Sequence, residues 1–184
     1  SPSDFFNLVE SELGVTIRSR PVQIALPYVY RHKPLFCVPL FHELGHFVDA
    51  CNDIVTTSLL SSPGGVGPDL PDLKPSSEIA KLSGMEKQWW EDIVRRHRME
   101  YFADLVSVAY VGRAALGFLQ EFIPSAPMQP SHPSSTARFK LMLDFINGTP
   151  NPVLDLFQDA LACRGLPPLS RRYQSVGVEQ AFAN

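Results

Sequence analysis

The sequence predicts an α+β fold that is mostly helical and carries a small N-terminal β-sheet. Apolar and polar residues alternate with a period of two at 15–17 and 22–26, which is typical of short strands. Apolar residues recur with helical spacing through most of 84–122. With 184 residues and 45% hydrophobic content, the chain can build one substantial core. We therefore expect a single domain covering residues 1–184.

The N-terminal elements follow from local signals. A short helix is expected at 4–13, where apolar residues share one face and Gly14 provides the stop. The two predicted strands come next, and Pro21 and Pro27 bound the second of them.

The next predicted helix runs to about Asp53, and its start depends on a proline. Either Pro39 lies in the first turn, or the helix begins near Pro34 and kinks; we prefer the kinked form. Gly45 lies inside this helix, where glycine costs about 1 kcal/mol relative to alanine. Its usual benefit is the close approach of another backbone, so we expect a second helix to cross there.

The rest of the chain is predicted to be helical between loops. The pattern over 84–122 is helical, with Gly112 and Gly117 as candidate breaks. Further helices are expected at 133–147 and 152–163, each opened by a proline near its first turn.

The domain divides into four stretches. Residues 1–60 hold the strands and the first long helix, and 61–77 form a loop rich in Pro, Gly and Ser. Residues 78–165 form the larger helical part, and 166–184 form a tail without periodicity. Because the chain does not begin with Met, we also expect additional domains outside this sequence.

Bulk properties exclude several classes of protein. A net charge of −3 and a pI near 5.9 argue against a nucleic-acid partner. No apolar run approaches the ~18 residues that span a bilayer, so no membrane span is expected. Cys37, Cys51 and Cys163 leave an odd thiol and no regular disulfide framework, which favours a cytoplasmic location.

The most informative motif is His42-Glu43-Leu44-Gly45-His46. Positions i and i+4 of a helix share one face, so both imidazoles can reach a single zinc ion while Glu43 lies beside it. The competing interpretation is a core helix whose histidines only form hydrogen bonds. Buried ionisable groups are costly without partners, which favours a bound metal.

A catalytic zinc site needs a third protein ligand, and Glu100 is the best candidate. Glu100 and Asp104 are i and i+4 on an otherwise apolar helix, so the first can bind zinc while the second holds the Nδ1–H of a ligating histidine. Two alternatives remain open. Asp49 lies near the same face as His46, and Glu100 could instead pair with Arg96 on the surface.

Three motifs together resemble known metallopeptidases. HELGH at 42–46, ExxAD at 100–104 and HPxxxxR at 132–138 resemble the gluzincin metallopeptidases of the HtpX and CAAX-prenyl-protease group. The first two motifs also resemble the soluble ImmA/IrrE metallopeptidases. The resemblance implies a zincin-like fold, a glutamate ligand with a supporting aspartate, and a third segment packed against the active site. The absence of a predicted membrane span departs from the HtpX pattern.

The implied activity is zinc-dependent hydrolysis of a protein or peptide substrate. Glu43 is the expected general base, which takes a proton from water and passes it to the leaving amine. A donor to the oxyanion is also needed. His132, Tyr101 and Tyr110 are candidates, and the resemblance favours His132.

Two further points remain predictions from sequence. Arg138 is expected to lie beside the site and to pair with Asp104 or another buried acid as a structural latch. The alternative to an endopeptidase is a non-catalytic zinc-binding sensor or partner-binding module that keeps the same fold.

Overall fold

A computed structural model describes residues 37–61, 69–123 and 125–172, and these residues form seven helices. In chain order they are α1 Val38–Asn52, α2 Ile54–Leu60, α3 Ser76–Ile79, α4 Gly84–Val111, α5 Arg113–Phe122, α6 Ser135–Asn147 and α7 Pro152–Cys163.

The expectation of an α+β fold with a β-sheet is wrong for this structure. Across the three described ranges every regular element is a helix, and no strand occurs. The residues predicted to form the N-terminal helix and the two strands, 4–13, 15–17 and 22–26, lie outside the described residues. The alternation that suggested a sheet extended over only three and five residues, which is a weak basis for assigning a fold class.

The long helix α4 is the centre of the fold. Its second half is buried almost all round, and α1, α2, α5 and α6 all pack against it. Tyr101, Phe102 and Leu105 are fully buried, and the Phe102 ring meets that of Phe157 from α7 at 5.4 Å between centroids. A helix that is apolar on every side must be covered on every side, which explains why the other helices surround α4.

Several helix boundaries match their local signals. Helix α1 begins at Val38 with Pro39 in its first turn. Pro34, near which the preferred kinked start was expected, lies outside the described residues. Gly112 ends α4 with φ 58° and ψ −134°, a conformation that glycine adopts at little cost. Gly117 lies inside α5 and does not interrupt that helix, so it is not one of the breaks.

Side chains cap the N-termini of α6 and α7. The Ser134 hydroxyl accepts a hydrogen bond from the Ala137 N–H at the start of α6. The Asn151 side chain accepts one from the Val153 N–H, and Pro152 fills the first turn of α7. The predicted helices at 133–147 and 152–163 are therefore confirmed, the first within two residues.

Among the described residues, none of the helices combines the length and the apolar character that crossing a lipid bilayer requires.

Candidate metal centre

The centre is built where α1 crosses α4 at close range. A Cβ placed on Gly45 would lie 2.5 Å from the Ala103 Cα, so only a glycine permits this contact. The close approach predicted at Gly45 is thus confirmed. The crossing brings His42 and His46 of α1 opposite Glu100 and Asp104, which flank Ala103 on α4.

Three side chains present ligand atoms toward one point. The Nε2 atoms of His42 and His46 lie 3.1 Å apart. The Glu100 carboxylate lies 3.3 Å from the His42 Nε2 through Oε2 and 3.5 Å from the His46 Nε2 through Oε1. This group could hold a metal ion.

The spacing of these atoms suits a tetrahedral ion. Ligand distances of ~2.0–2.2 Å imply ligand–ligand edges of roughly 3.3–3.6 Å in a tetrahedron. The two nitrogens lie 3.1 Å apart, and each lies near a different oxygen of the carboxylate, His42 at 3.3 Å from Oε2 and His46 at 3.5 Å from Oε1; each of these separations is within about 0.2 Å of that range. Two imidazoles and one carboxylate are also donors that zinc prefers. The residues present therefore fit zinc.

Asp104 fixes the orientation of His42. Its Oδ1 lies 3.0 Å from the His42 Nδ1, which places the proton on Nδ1 and directs the Nε2 lone pair toward the centre. Arg138 from α6 donates to both carboxylate oxygens of Asp104 at 2.7 Å. This two-pronged pair is buried, and it fixes Asp104 in turn.

The electrostatics favour a cation at the centre. Burial lowers the pKa of His42, but hydrogen bonds and charge from Asp104 and Glu100 outweigh burial and raise it to about 9. Burial raises the pKa of Glu100, yet hydrogen bonds from the two imidazoles hold it well below its usual range. Asp104 is likewise buried, and Arg138 keeps its pKa low. Two carboxylates therefore stay ionised beside the imidazoles, and a metal ion would displace the proton on His42.

The His46 imidazole has one buried atom without a hydrogen bond. Its Nδ1 contacts no donor or acceptor within the described part of the chain. Glu43 directly follows His42 in α1 and is solvent-exposed. It is therefore accessible to water.

His132 lies at the rim of the centre. Its Nε2 is 3.6 Å from the Glu100 Oε1, and its side chain is about half exposed. Arg138 also comes within 3.8 Å of the Glu100 Oε2. The two residues of the HPxxxxR segment that were singled out from sequence thus both approach Glu100.

Sequence reasoning missed His97, which supports the segment that carries His132. His97 is fully buried one turn before Glu100, and its Nε2 donates to the Gln129 carbonyl at 2.8 Å. Gln129 and His132 in turn exchange two backbone hydrogen bonds, at 2.9 and 3.2 Å. Burial lowers the pKa of His97, which is consistent with a neutral ring. Its spacing of three from Glu100 was the one available signal.

The remaining sequence candidates lie elsewhere. The Asp49 carboxylate accepts the Val55 N–H at 2.7 Å, so it caps the start of α2. Arg96 pairs with Asp92 at 2.7 Å, which removes the surface partner considered for Glu100.

The two tyrosines considered as oxyanion donors do not line the cavity that opens beside the centre. Tyr101 is fully buried, and its hydroxyl has no hydrogen-bond partner among the described residues. Tyr110 is half exposed and stacks on Phe41 at 5.6 Å. His132 is the one of the three candidates that approaches Glu100.

A cavity of about 440 Å³ opens beside the centre. His42, Glu100 and His132 form part of its wall, and helices α5 and α6 supply much of the rest. Its volume is in the range of sites that bind small ligands.

Comparisons with known proteins identify no relative. No family model matches this chain, and neither the curated proteins nor the solved structures contain a significant match. Function must therefore be inferred from the chemistry of the centre itself.

Proposed function

We propose that this chain is a zinc-dependent endopeptidase that holds zinc through His42, His46 and Glu100. The observation that carries the proposal is the convergence of two imidazole nitrogens, 3.1 Å apart, on the Glu100 carboxylate, whose two oxygens lie 3.3 Å from the His42 Nε2 and 3.5 Å from the His46 Nε2. Two members of this group, His42 and Glu100, also line an open cavity, as metal ligands that serve a substrate must.

When bound, zinc supplies Lewis-acid chemistry that acidifies water and polarises a carbonyl group. Glu43 takes a proton from the attacking water and delivers it to the leaving amine nitrogen as the C–N bond breaks. The exposure of Glu43 supports this role, because a general base must be reached by both water and substrate. His132 offers an N–H from the rim to the carbonyl oxygen as negative charge develops there.

Three other residues act on the ligands rather than on the substrate. Asp104 holds the tautomer and ring angle of His42, and Arg138 holds Asp104. Gly45 keeps α1 close enough to α4 for the ligands to meet.

Glu43→Gln tests the proposal because the change is nearly isosteric and leaves the three ligands intact. We expect zinc content and thermal stability close to wild type, with peptide hydrolysis lowered by at least ~10²-fold. The assay is mass-spectrometric mapping of cleavage in a peptide library by zinc-loaded protein.

Glu86→Gln provides a matched control. Glu86 is exposed in the first turn of α4, 14 residues and so roughly 21 Å along the helix from Glu100. The Glu86→Gln variant should cleave peptides like wild type. If wild type and Glu43→Gln show the same cleavage pattern, or neither cleaves, the alternative of a non-catalytic zinc-binding module replaces the endopeptidase.

A further inference from the structure

The cavity beside the metal centre has two chemically different parts. Every lining side chain that carries a charge or an imidazole belongs to the metal centre. The remaining wall is uncharged and largely apolar. Its apolar side chains from helices α1, α5 and α6 and from the residue that follows α5 are Val38, Ala115, Phe118, Leu119, Ile123 and Met142. A group held at the metal can therefore extend directly into an apolar space.

Much of the apolar wall belongs to the packed core of the domain. The turn at Gly112 redirects the chain so that α5 packs against α6 and α1. Ala115 and Leu119 lie one turn apart on the buried face of α5, with exposed fractions of 3% and 4%. Because these side chains also belong to the core, the shape of the wall is set by the packing of the domain.

The chemistry of the wall selects its occupant. A charged side chain placed against Ala115, Leu119 and Met142 would lose its water without gaining a partner, which is strongly unfavourable. A branched aliphatic or aromatic side chain instead transfers its apolar surface out of water. The volume of about 440 Å³ has room for a large side chain rather than only a methyl group.

We propose that this cavity is a specificity pocket for one bulky apolar side chain of the ligand held at the metal centre. For a peptide, that side chain belongs to a residue flanking the scissile bond, of the leucine, methionine or phenylalanine type. This statement about peptides rests on the proposed function. Such residues are mostly buried in folded proteins, so the substrates are extended or unfolded segments that expose them.

The test uses small hydroxamates, which bind zinc through their hydroxamate group and carry a variable side group. Affinities of zinc-loaded protein are measured by calorimetry for methyl, isobutyl, benzyl and carboxyethyl side groups. We expect isobutyl or benzyl to bind at least ~10-fold more tightly than methyl, and carboxyethyl no better than methyl. Equal affinities across the series, or a preference for carboxyethyl, overturn the proposal.

Two variants assign the preference to the cavity. Ala115→Phe fills the space, so the ratio of isobutyl to methyl affinity should fall toward one. Its control, Ala162→Phe, places the same side chain on the exposed face of α7 and should keep the wild-type ratio. Phe118→Ala enlarges the half-buried wall and should shift the preference toward a naphthylmethyl group, which covers the case in which Ala115→Phe does not fold.

Hydroxamate binding requires no hydrolysis, so the two proposals fail separately. A size preference without any peptide cleavage refutes the endopeptidase and leaves the apolar pocket standing. Cleavage that depends on Glu43 but shows no apolar residue beside the cut refutes the pocket and leaves the endopeptidase standing.

Discussion

Gly45→Ala is the sharpest test of how the metal centre is assembled. The added Cβ would lie 2.5 Å from the Ala103 Cα, whereas non-bonded carbon atoms prefer about 3.5–4.0 Å. Because the obstacle is backbone, no side-chain rotation relieves it. Helices α1 and α4 must therefore separate by roughly 1 Å at their crossing.

The magnitude follows from two opposing effects. Alanine improves helix propensity by about 1 kcal/mol, and overpacking a close contact costs typically 1–3 kcal/mol or more. We expect a net loss of up to roughly 2 kcal/mol, which corresponds to a fall in Tm of up to about 8 °C for a chain of this size. The same separation stretches both histidine–Glu100 distances beyond the tolerance of about 0.2 Å for zinc ligands, so zinc affinity should fall at least ~10-fold.

Gly117→Ala is the matched control. Gly117 lies inside α5, and a Cβ added there meets nothing within 4 Å. The same substitution should therefore raise stability by up to about 1 kcal/mol and leave zinc affinity unchanged. Thermal melts and zinc titrations against a competing chelator measure both quantities. If Gly45→Ala is stabilised like Gly117→Ala and binds zinc as wild type does, the close crossing at Ala103 does not exist.

Three further predictions concern the groups around the ligands. Asp104→Asn should weaken zinc binding by about 10- to 100-fold in chelator competition, because the tautomer of His42 is no longer fixed; unchanged affinity would contradict this. In metal-free protein the pKa of His42 is raised from 6.5 to about 9, so its contribution to stability is complete below pH 6.5 and lost as pH rises through 9. Zinc binding at pH 7.5 should accordingly release close to one proton, seen as a calorimetric enthalpy that varies with buffer ionisation; a buffer-independent enthalpy would refute it. His97→Phe removes the hydrogen bond to the Gln129 carbonyl that holds the segment carrying His132, so kcat should fall by up to ~10² with little change in zinc affinity. A parallel loss of zinc affinity would show that His97 only supports the core.

Local signals predicted the parts of the fold that local chemistry controls. Asn151 and Pro152 predict the start of α7, and Gly112 predicts the end of α4. A capping side chain and a glycine with positive φ both exert their effect within a few residues, so a sequence can show them. The mixed α+β class was wrong for the described residues because a period of two over three to five residues cannot outweigh what the rest of the chain forms. The start of α1 stayed open between Pro39 and Pro34, because a proline signal fits either the first turn of a helix or a kink.

The ligand set was easier to predict than its surroundings. His42 and His46 share a face by helix geometry, and the cost of Gly45 indicated that another helix crosses beside them. The direction of α5 after Gly112 depends on backbone angles that a sequence does not show, so the apolar cavity could not be anticipated. The bond from His97 to Gln129 joins residues 32 positions apart, and nothing local indicates such a partner.

Asp104 explains why the centre and the core cannot be separated. One buried carboxylate accepts from His42 on α1 and from Arg138 on α6 while it belongs to α4, so three helices meet through it. Removing one partner of a buried ion pair costs typically about 3–5 kcal/mol, because the other charge stays buried. The same contact that orients His42, a proposed zinc ligand, therefore also fixes how α6 packs on α4. Zinc binding, by holding His42 in place, should in turn strengthen this packing and raise the free energy of unfolding.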